Sequence, residues 1–302
     1  MTPGNSSTRT VVDGRELSVS NLDKVFYPQS GFTKGQLIDY YVRIAEAMLP
    51  HLRGRPLTMR RFPNGVEGKS FFEKHVPSHA PKWVNTVIVP ASDGNEAIAY
   101  AVVDDLPTLA WAANLGNIEF HVPLWHAGRQ RKLPAKPDFM VFDLDPGEGT
   151  SVVECCVVAG YIMEELARAG RESFAKTSGS KGLQLYAPVR PRMSWDDQRG
   201  EAYELARKLE SEHRDLVVSN MRKSLRNGRV LIDWSQNHPA KTTIAVYSVR
   251  AMRLPTVSTP VTPSEVQRCA KRGEPRLLVF ETEKVLDRVQ RHGDLFRPPA
   301  RL

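Results

Sequence analysis

The stretch DFMVFDLDPGEG, residues 138–149, contains an apolar run that ends in two acids two positions apart. Alternate residues of a strand point to one face, so Asp143 and Asp145 share a face while Phe142 and Leu144 share the other. The Cα atoms of the two acids are expected about 6.5 Å apart. Carboxylates this close repel each other unless a cation lies between them, and a hard divalent ion suits oxygen ligands.

A third acid occurs in similar company in VLIDWSQN, where Asp233 lies within an apolar run. If that strand neighbours the first, three carboxylates converge, which is enough to hold the one or two metals used in phosphoryl or nucleotidyl transfer. Taken alone, the Asp-Leu-Asp pattern is explained equally well by a solvated strand end. A calcium loop starting at Asp143 is rejected, because its sixth position is Glu148 instead of glycine.

The order of the predicted elements favours an α+β fold. Several strand-like segments adjoin without a helix between them, which argues against a doubly wound parallel sheet. Thr33 and Pro50 are predicted to begin and stop one helix, and the Ser151-x-x-Glu154 capping pattern begins another. The remaining predictions are a hairpin turn at 92–95, a β-rich run at 241–251, and helices near 263–272 and 282–293.

The chain is predicted to form one catalytic domain over residues 15–302, after a flexible lead of residues 1–14 and with a helical tail from about residue 256. It has no apolar run of about 18 residues and no apolar centre near its N-terminus, which predicts a soluble, cytoplasmic protein. Three cysteines in 302 residues form no zinc pattern. The net charge of +8 indicates a polyanionic partner, most often nucleic acid.

Three further segments have the composition of phosphate or base contacts. TSGSKGLQLY offers Ser178, small residues and Lys181 to a phosphate, although an ordinary Gly-Ser turn explains it too and the P-loop spacing is absent. MRKSLRNGRV is a basic loop, with a solvated turn as the alternative. The pair Phe71 and Phe72 is typical of a core, but in a basic groove it could stack on a base.

Together these segments resemble the polymerase domain of bacterial ligase D, in the archaeo-eukaryotic primase superfamily. The resemblance runs from about Leu17 to Gly293 and rests on ten motifs in order. They are NLDKVFYP, TKGQLIDYY, RRFPNGV, FFEKH, EFHVPLW, FDLDPGEG, TSGSKGLQLY, KSLRNGRV, IDWSQN and KTTIAVYSVR. It implies a primase-polymerase fold with antiparallel or mixed central sheets flanked by helices. No nuclease or ligase segment follows, so a stand-alone homologue or an excised domain is expected.

The resemblance also implies roles for individual residues. Asp143, Asp145 and Asp233 match the family's catalytic metal ligands, for Mn²⁺ or Mg²⁺ in a two-metal arrangement. The residues that match the nucleotide site are His121, Ser178, Lys181, Gln236, Lys241 and Arg250. Lys24 and Lys34 match lysines that hold a 5′-phosphate, Phe71 and Phe72 match aromatics that stack at the template, and Arg226 matches an arginine of a mobile loop.

One position departs from the family pattern. The family usually has SKGLHLY, with a histidine near the triphosphate, where this chain has Gln184. Glutamine can donate a hydrogen bond but cannot become cationic. Weaker or altered triphosphate binding is therefore expected, with Lys181 and Lys241 supplying the positive charge.

The expected function is a DNA-dependent nucleotidyltransferase that prefers ribonucleotides. It would fill short gaps or extend ends bearing a 5′-phosphate, in non-homologous end joining or excision repair, with ligase and Ku-type proteins as partners. Two alternatives stay open. One is a DNA-end binding module that bridges ends through the loop at Asp93–Asn95, and the other is a metal-dependent nuclease, since three acids also suit hydrolysis.

Overall fold

The computed structural model describes residues 7–90, 96–127 and 135–296. The strands are β1 (Ser7–Val12), β2 (Arg15–Ser20), β3 (Val25–Tyr27), β4 (Phe32–Thr33), β5 (Thr58–Arg61), β6 (Phe71–Glu73), β7 (Thr86–Val89), β8 (Ile98–Ala101), β9 (Asn117–Val122), β10 (Phe139–Pro146), β11 (Phe174–Thr177), β12 (Leu183–Pro188), β13 (Val217–Val218), β14 (Val230–Asp233), β15 (Thr243–Ile244) and β16 (Pro260–Val261). The helices are α1 (Lys34–Leu52), α2 (Leu106–Asn114), α3 (Val152–Arg168), α4 (Trp195–Glu212), α5 (Pro263–Arg272) and α6 (Thr282–His292). The predicted α+β class is confirmed.

A six-stranded sheet forms the centre of the fold, in the order β13-β14-β10-β12-β11-β16. Its neighbouring strands are antiparallel except β13 and β14, which are parallel. A second sheet of four antiparallel strands has the order β15-β9-β5-β6. The pairs β1-β2, β3-β4 and β7-β8 form separate ribbons. The acid-bearing strand β10 is thus a central strand, paired on both sides.

The alternation of β10 places the acids on one side of the central sheet. Met140, Phe142 and Leu144 pack into a core cluster with α3, α4 and α5. Phe139 and Val141 pack into the other cluster, which includes α1, α2 and strand β9 of the second sheet. Because side chains alternate along a strand, the acids that follow Val141 continue the face that is turned toward the second sheet.

Helix starts follow the sequence closely, and helix ends less so. Thr33 and Ser151 each form a full capping box, as the sequence predicts for Ser151. Pro50 does not stop α1, which continues to Leu52. A proline near the end of a helix loses one hydrogen bond at most, and here the last turn is held by packing, since Leu49 and Leu52 are buried.

The β-rich run at 241–251 forms only a two-residue strand. Ile244–Val249 are all buried, and the chain turns at Tyr247, which has a φ of 65°. Hydrogen bonds from the Tyr40 hydroxyl to the Tyr247 carbonyl (2.8 Å) and from Ser258 to Ser248 backbone (2.9 Å) replace a strand ladder. The β-branched composition therefore reflects burial in the core instead of strand pairing.

Both ends of the chain form regular structure within the described residues. Residues 7–12 of the expected flexible lead form β1, which pairs with β2. At the other end α5 packs on α3, α6 packs on α1, and Phe296 is buried, so the described part of the tail docks on the core. Strands β7 and β8 form the predicted hairpin, but its loop at Asp93–Asn95 lies outside the described residues. In the described ranges, no helix has the length and apolar character of a membrane span.

Candidate active site

The three predicted metal-binding acids meet on neighbouring central strands. Asp143 of β10 lies directly opposite Asp233 of β14, and Asp145 follows on the same face. Burial, followed by the negative charge of Asp145, raises the pKa of Asp143 to about 7. Burial and the charge of Asp233 also raise the pKa of Asp145. The strand register therefore brings the three predicted acids onto two paired strands.

Asp233 ends its strand and caps a short 3-10 turn. One carboxylate oxygen accepts from the Ser235 backbone N–H (2.9 Å) and hydroxyl (2.5 Å), and the other accepts from Gln236 Nε2 (3.1 Å). Lys241 Nζ donates to the Ser235 hydroxyl at 2.6 Å. Gln236 and Lys241, both expected at the nucleotide, are thus tied to the acid cluster through this turn.

The donor set has the chemistry of a divalent metal site. Carboxylate oxygens are the ligands that Mg²⁺ and Mn²⁺ prefer, and a cation would relieve the repulsion that raises the pKa of Asp143 and Asp145. In the parts of the chain that the structure describes, no three His, Cys, Asp or Glu side chains are already grouped to hold an ion. The hydrogen bonds that turn Asp233 toward Ser235 and Gln236 account for this, because its carboxylate serves the turn.

The glycine-containing loop 178–182 packs against the end of the acid-bearing strand. A Cβ atom on Gly182 would lie 2.1 Å from the Leu144 carbonyl oxygen, so only glycine allows this approach. The Ser178 hydroxyl accepts from the backbone N–H groups of Ser180 (3.2 Å) and Gly182 (3.0 Å). The Lys181 side chain is exposed beside them. The loop is therefore packed tightly against β10 at Gly182, and Lys181 beside it is exposed.

His121 and Arg250 are joined by a buried carboxylate that the sequence did not single out. Glu119 is 1% exposed and accepts from His121 Nε2 (3.0 Å), Arg250 Nε (3.1 Å), Arg60 (3.2 Å) and the Ala251 backbone N–H (3.0 Å). Although burial opposes ionisation, the bond from His121 and the charge of Arg250 lower the pKa of Glu119 overall. Burial lowers the pKa of His121.

Gln184 does not face open solvent as a triphosphate contact would. It is 4% exposed and lies opposite Asp143 on one side and Lys176 on the other. Its Oε1 accepts from Lys176 Nζ (2.6 Å) and from the Tyr186 hydroxyl (3.1 Å), and the Gln184 side chain opposes the rise in the pKa of Asp143. The polar atoms of Gln184 are thus committed to internal partners, which departs from the contact that the sequence suggested.

The expected DNA contacts lie at one edge of the second sheet and on the loops beside it. Phe71 and Phe72 are 45% and 61% exposed on edge strand β6. The guanidinium groups of Arg61 and Arg60 lie over their rings at 5.2 and 5.5 Å, respectively. The Phe72 ring also meets His121 edge-to-face at 5.6 Å. This aromatic pair is a surface feature, and it adjoins the candidate nucleotide residues.

The two lysines expected at a 5′-phosphate have different surroundings. Lys24 Nζ is partly exposed and donates to the Pro63 carbonyl and to Asn64 Oδ1, both at 2.7 Å. Lys34 is buried, with Nζ donating to the Ser20 carbonyl at 2.6 Å. Burial, helped by the charge of Lys24, lowers the pKa of Lys34 to about 8. Of the two, Lys24 is the more accessible to an anion.

Arg226 lies on the basic loop, close to the second acid. Its positive charge lowers the pKa of Asp145 against the effect of burial. The loop is fixed by the turn after β10, where a Cβ atom on Gly147 would come within 1.7 Å of the Arg226 carbonyl oxygen. The Gly147 N–H donates to the Arg229 carbonyl at 2.8 Å, and the Gly228 N–H to that of Glu148 at 2.7 Å. Arg226 is thus held beside the acids by backbone contacts.

Comparison with known proteins places this arrangement in a family. The family described as LigD, primase-polymerase domain, matches residues 33–296. The chain belongs to this family. Primase-polymerase domains of LigD are nucleotidyltransferases, so the expected enzyme class is confirmed.

Relatives of the domain are found in longer proteins. A multifunctional non-homologous end joining protein LigD of Mycolicibacterium smegmatis is 40% identical over 93% of this chain and 35% of its own length. A bifunctional LigD of Bacillus subtilis is 30% identical over 94% of this chain and 45% of its own length. The chain therefore spans between a third and a half of these relatives. The solved polymerase domain of Mycobacterium tuberculosis ligase D, in complex with DNA, has a TM-score of 0.86 at 41% identity. That match covers 92% of this chain and 96% of the other.

The primase-polymerase domain contains three polar residues that reasoning from sequence did not find. They are Glu119, Lys176 and Ser235, which contact His121, Gln184 and Asp233, respectively. A signal existed for Glu119, because a charged residue two positions before a candidate site residue in a strand shares its face. Lys176 and Ser235 gave no signal, since each works through a partner that is remote in sequence or through a local turn.

Proposed function

We propose that the chain fills short gaps and extends DNA ends by templated nucleotide addition, with ribonucleotides preferred. The observation that supports this most is the alignment of Asp143 and Asp233 on paired central strands, with Asp145 beside them. Carboxylates so placed repel the phosphates of DNA unless a metal intervenes, which argues for chemistry over binding alone. The DNA in the solved relative is consistent with a nucleic-acid substrate.

The three acids would hold one or two divalent ions, Mn²⁺ or Mg²⁺. When bound, such ions lower the pKa of a primer 3′-hydroxyl and stabilise charge on the phosphate under attack. Arg226, beside Asp145, adds positive charge at the same edge. Asp233 also orients Gln236 and, through Ser235, Lys241, so that ligand and nucleotide contacts share one rigid turn.

The nucleotide would lie between the two sheets. Ser178 and the exposed Lys181 border the acids at one end, and phosphate oxygens suit such a combination of backbone N–H groups and a cation. His121 approaches from β9 of the second sheet and Arg250 from the segment after β15, and both are held in place by Glu119. Their positive or polar ends can contact the triphosphate and the sugar without losing their anchor.

The DNA would extend along the edge of the second sheet. Phe71 and Phe72 offer rings for stacking, and base–aromatic stacking contributes about 1–3 kcal/mol per base. Lys24, with Lys34 behind it, would hold the 5′-phosphate on the far side of a gap. The relatives' names support end joining as the setting. We extend the proposal to excision repair, to the bacterial cytoplasm, and to ligase and Ku-type proteins as partners.

The test is extension of a labelled primer across a one-nucleotide gap bearing a 5′-phosphate, with Mn²⁺ and either NTP or dNTP. The parent should extend the primer, Asp143→Ala should not, and Asp215→Asn should behave as the parent because Asp215 is an exposed acid outside the site. The ratio of NTP to dNTP incorporation reports the preferred sugar. Tight, 5′-phosphate-dependent binding without incorporation would favour the end-binding module, and cleavage of the primer would favour the nuclease.

A further inference from the structure

A buried lysine lies behind the acids, on the next strand but one. Lys176 of β11 is 0% exposed, and its Nζ donates to Gln184 Oε1 (2.6 Å) and to the Ser258 hydroxyl (2.7 Å). The Ser258 hydroxyl in turn donates to the Thr177 carbonyl at 2.8 Å, so it acts as an acceptor toward Lys176. Burying a lysine costs free energy. We therefore expect Lys176 to have a function that an apolar residue could not perform.

The strand register connects this lysine to the metal-binding acids. Lys176 lies opposite Gln184, Gln184 lies opposite Asp143, and Asp143 lies opposite Asp233. The four side chains therefore form one row across four adjacent strands. They share a face, because directly paired residues of antiparallel strands point the same way. If Lys176 fixes the orientation of the Gln184 side chain, it therefore also affects the side chain of Asp143.

The hydrogen bonds fix which way the Gln184 amide points. Its Oε1 receives two donors, Lys176 Nζ and the Tyr186 hydroxyl. A flipped amide would put its own N–H groups against Lys176 Nζ, which is itself the donor to Gln184 and Ser258. The amide nitrogen is thus directed away from Lys176, toward Asp143, which lies directly opposite Gln184 on β10.

We propose that Lys176 is a positioning residue of the polymerase site, which orients the Gln184 amide so that its N–H group holds the Asp143 carboxylate in place to bind the metal. The proposal deepens the proposed function and rests on it, because it assumes that Asp143 is a metal ligand. Residues that orient a metal ligand through one hydrogen bond commonly change metal affinity by about 10- to 100-fold when they are replaced.

The experiment measures binding of Mn²⁺ alone to the full chain, by loss of the free-ion EPR signal. Lys176→Met keeps the length of the side chain and removes its donors, and Gln184→Leu removes the amide. Each is expected to weaken Mn²⁺ binding about 10- to 100-fold. The double variant should be no weaker than the weaker single variant, since both changes break the same connection.

Matched controls separate positioning from general damage. Ser258→Ala removes the second acceptor of Lys176 but leaves its bond to Gln184, so Mn²⁺ binding should stay close to that of the parent. In primer extension, Lys176→Met should regain its kcat at saturating Mn²⁺ with an unchanged KM for nucleotide. A merely structural defect would not be repaired by Mn²⁺.

Three results would overturn the proposal. A folded Lys176→Met variant that binds Mn²⁺ as the parent does would remove it, and so would a double variant whose loss is the product of the two single losses. If Lys176→Met does not fold, unchanged Mn²⁺ binding by Gln184→Leu is equally decisive. If the parent binds Mn²⁺ but does not extend a primer, the proposed function is rejected. The EPR titrations would still test whether Lys176 and Gln184 affect Mn²⁺ binding.

Discussion

The six-stranded sheet carries its candidate site residues on central strands, whereas the four-stranded sheet carries its aromatic pair on edge strand β6. Asp143, Gln184 and Lys176 are fixed by paired neighbours on both sides, while Phe71 and Phe72 face solvent. A metal site needs ligands held within fractions of an ångström, and a DNA surface needs accessible rings that tolerate any base. Under the proposed function the two sheets divide chemistry from substrate binding, and replacements in them should differ in their consequences for stability.

The largest effect is expected from Asp143→Asn. Loss of one charged ligand should reduce primer extension about a thousandfold or more, because metal stabilisation of the transition state is worth several kcal/mol. Without metal the same change should raise the melting temperature, since it removes charge repulsion among the three neighbouring acids. Calorimetry in EDTA measures the expected rise in melting temperature, and the extension assay measures the expected loss of activity. A lower melting temperature would show that Asp143 stabilises the fold.

Glu119→Gln should reduce both the stability of the fold and the affinity for nucleotide. It leaves Arg250 and Arg60 without their buried carboxylate, and breaking a buried ion pair costs about 3–5 kcal/mol. We expect a clear loss of unfolding free energy in urea and a raised KM for nucleotide, because His121 and Arg250 lose their anchor. Asp39→Asn, at an exposed ion pair, is the matched control and should change little.

Stability without metal should depend on pH in a direction set by Asp143. Its folded-state pKa is raised from 3.8 to about 7, so the folded chain binds more protons than the unfolded chain between these values. The free energy of unfolding should therefore fall as the pH rises from about 4 to about 7. Urea titrations in EDTA at several pH values measure this slope. The slope should be reduced in Asp143→Asn, and an identical slope in that variant would assign it to other groups.

Phe72→Ala should affect DNA and leave the fold unchanged. The ring is 61% exposed, so its loss removes stacking of about 1–3 kcal/mol on a base with little cost to packing. Affinity for gapped DNA, measured by fluorescence anisotropy, should fall about tenfold while the melting temperature stays constant. Ile88→Ala, at a 58% exposed position of β7, is the control. Equal loss of affinity in both variants would argue against a specific stacking role.

The smallest effect on binding is expected from Lys24→Met. Its Nζ already has two neutral acceptors and partial exposure, so a 5′-phosphate adds one screened charge contact, worth about 0.5–1 kcal/mol. Preference for 5′-phosphate over 5′-hydroxyl DNA should drop a few-fold. Lys34→Met, in contrast, should lower the free energy of unfolding, because the buried Lys34 Nζ donates to the Ser20 carbonyl. A 5′-phosphate preference that survives both changes would place that contact elsewhere.

The sequence by itself determined the α+β class, the capping box at Ser151, and the pairing of two acids on one strand face. These depend on periods of two and 3.6 residues and on neighbours within a turn, which are local. It also predicted that Asp233 would join them, although only strand pairing could bring residues 90 positions apart into register.

The tertiary structure alone decided which polar atoms are free. Gln184 and Lys34 look like exposed nucleic-acid contacts in the sequence, yet both are buried, because strand order and helix packing cover them. Glu119 is bonded to Arg250 and Lys176 to Gln184, and neither of these pairings is revealed by spacing along the chain. Burial and hydrogen-bond pairing are properties of the assembled fold. The sequence therefore indicated the acids of the candidate site, but not the buried residues that hydrogen-bond to the site residues.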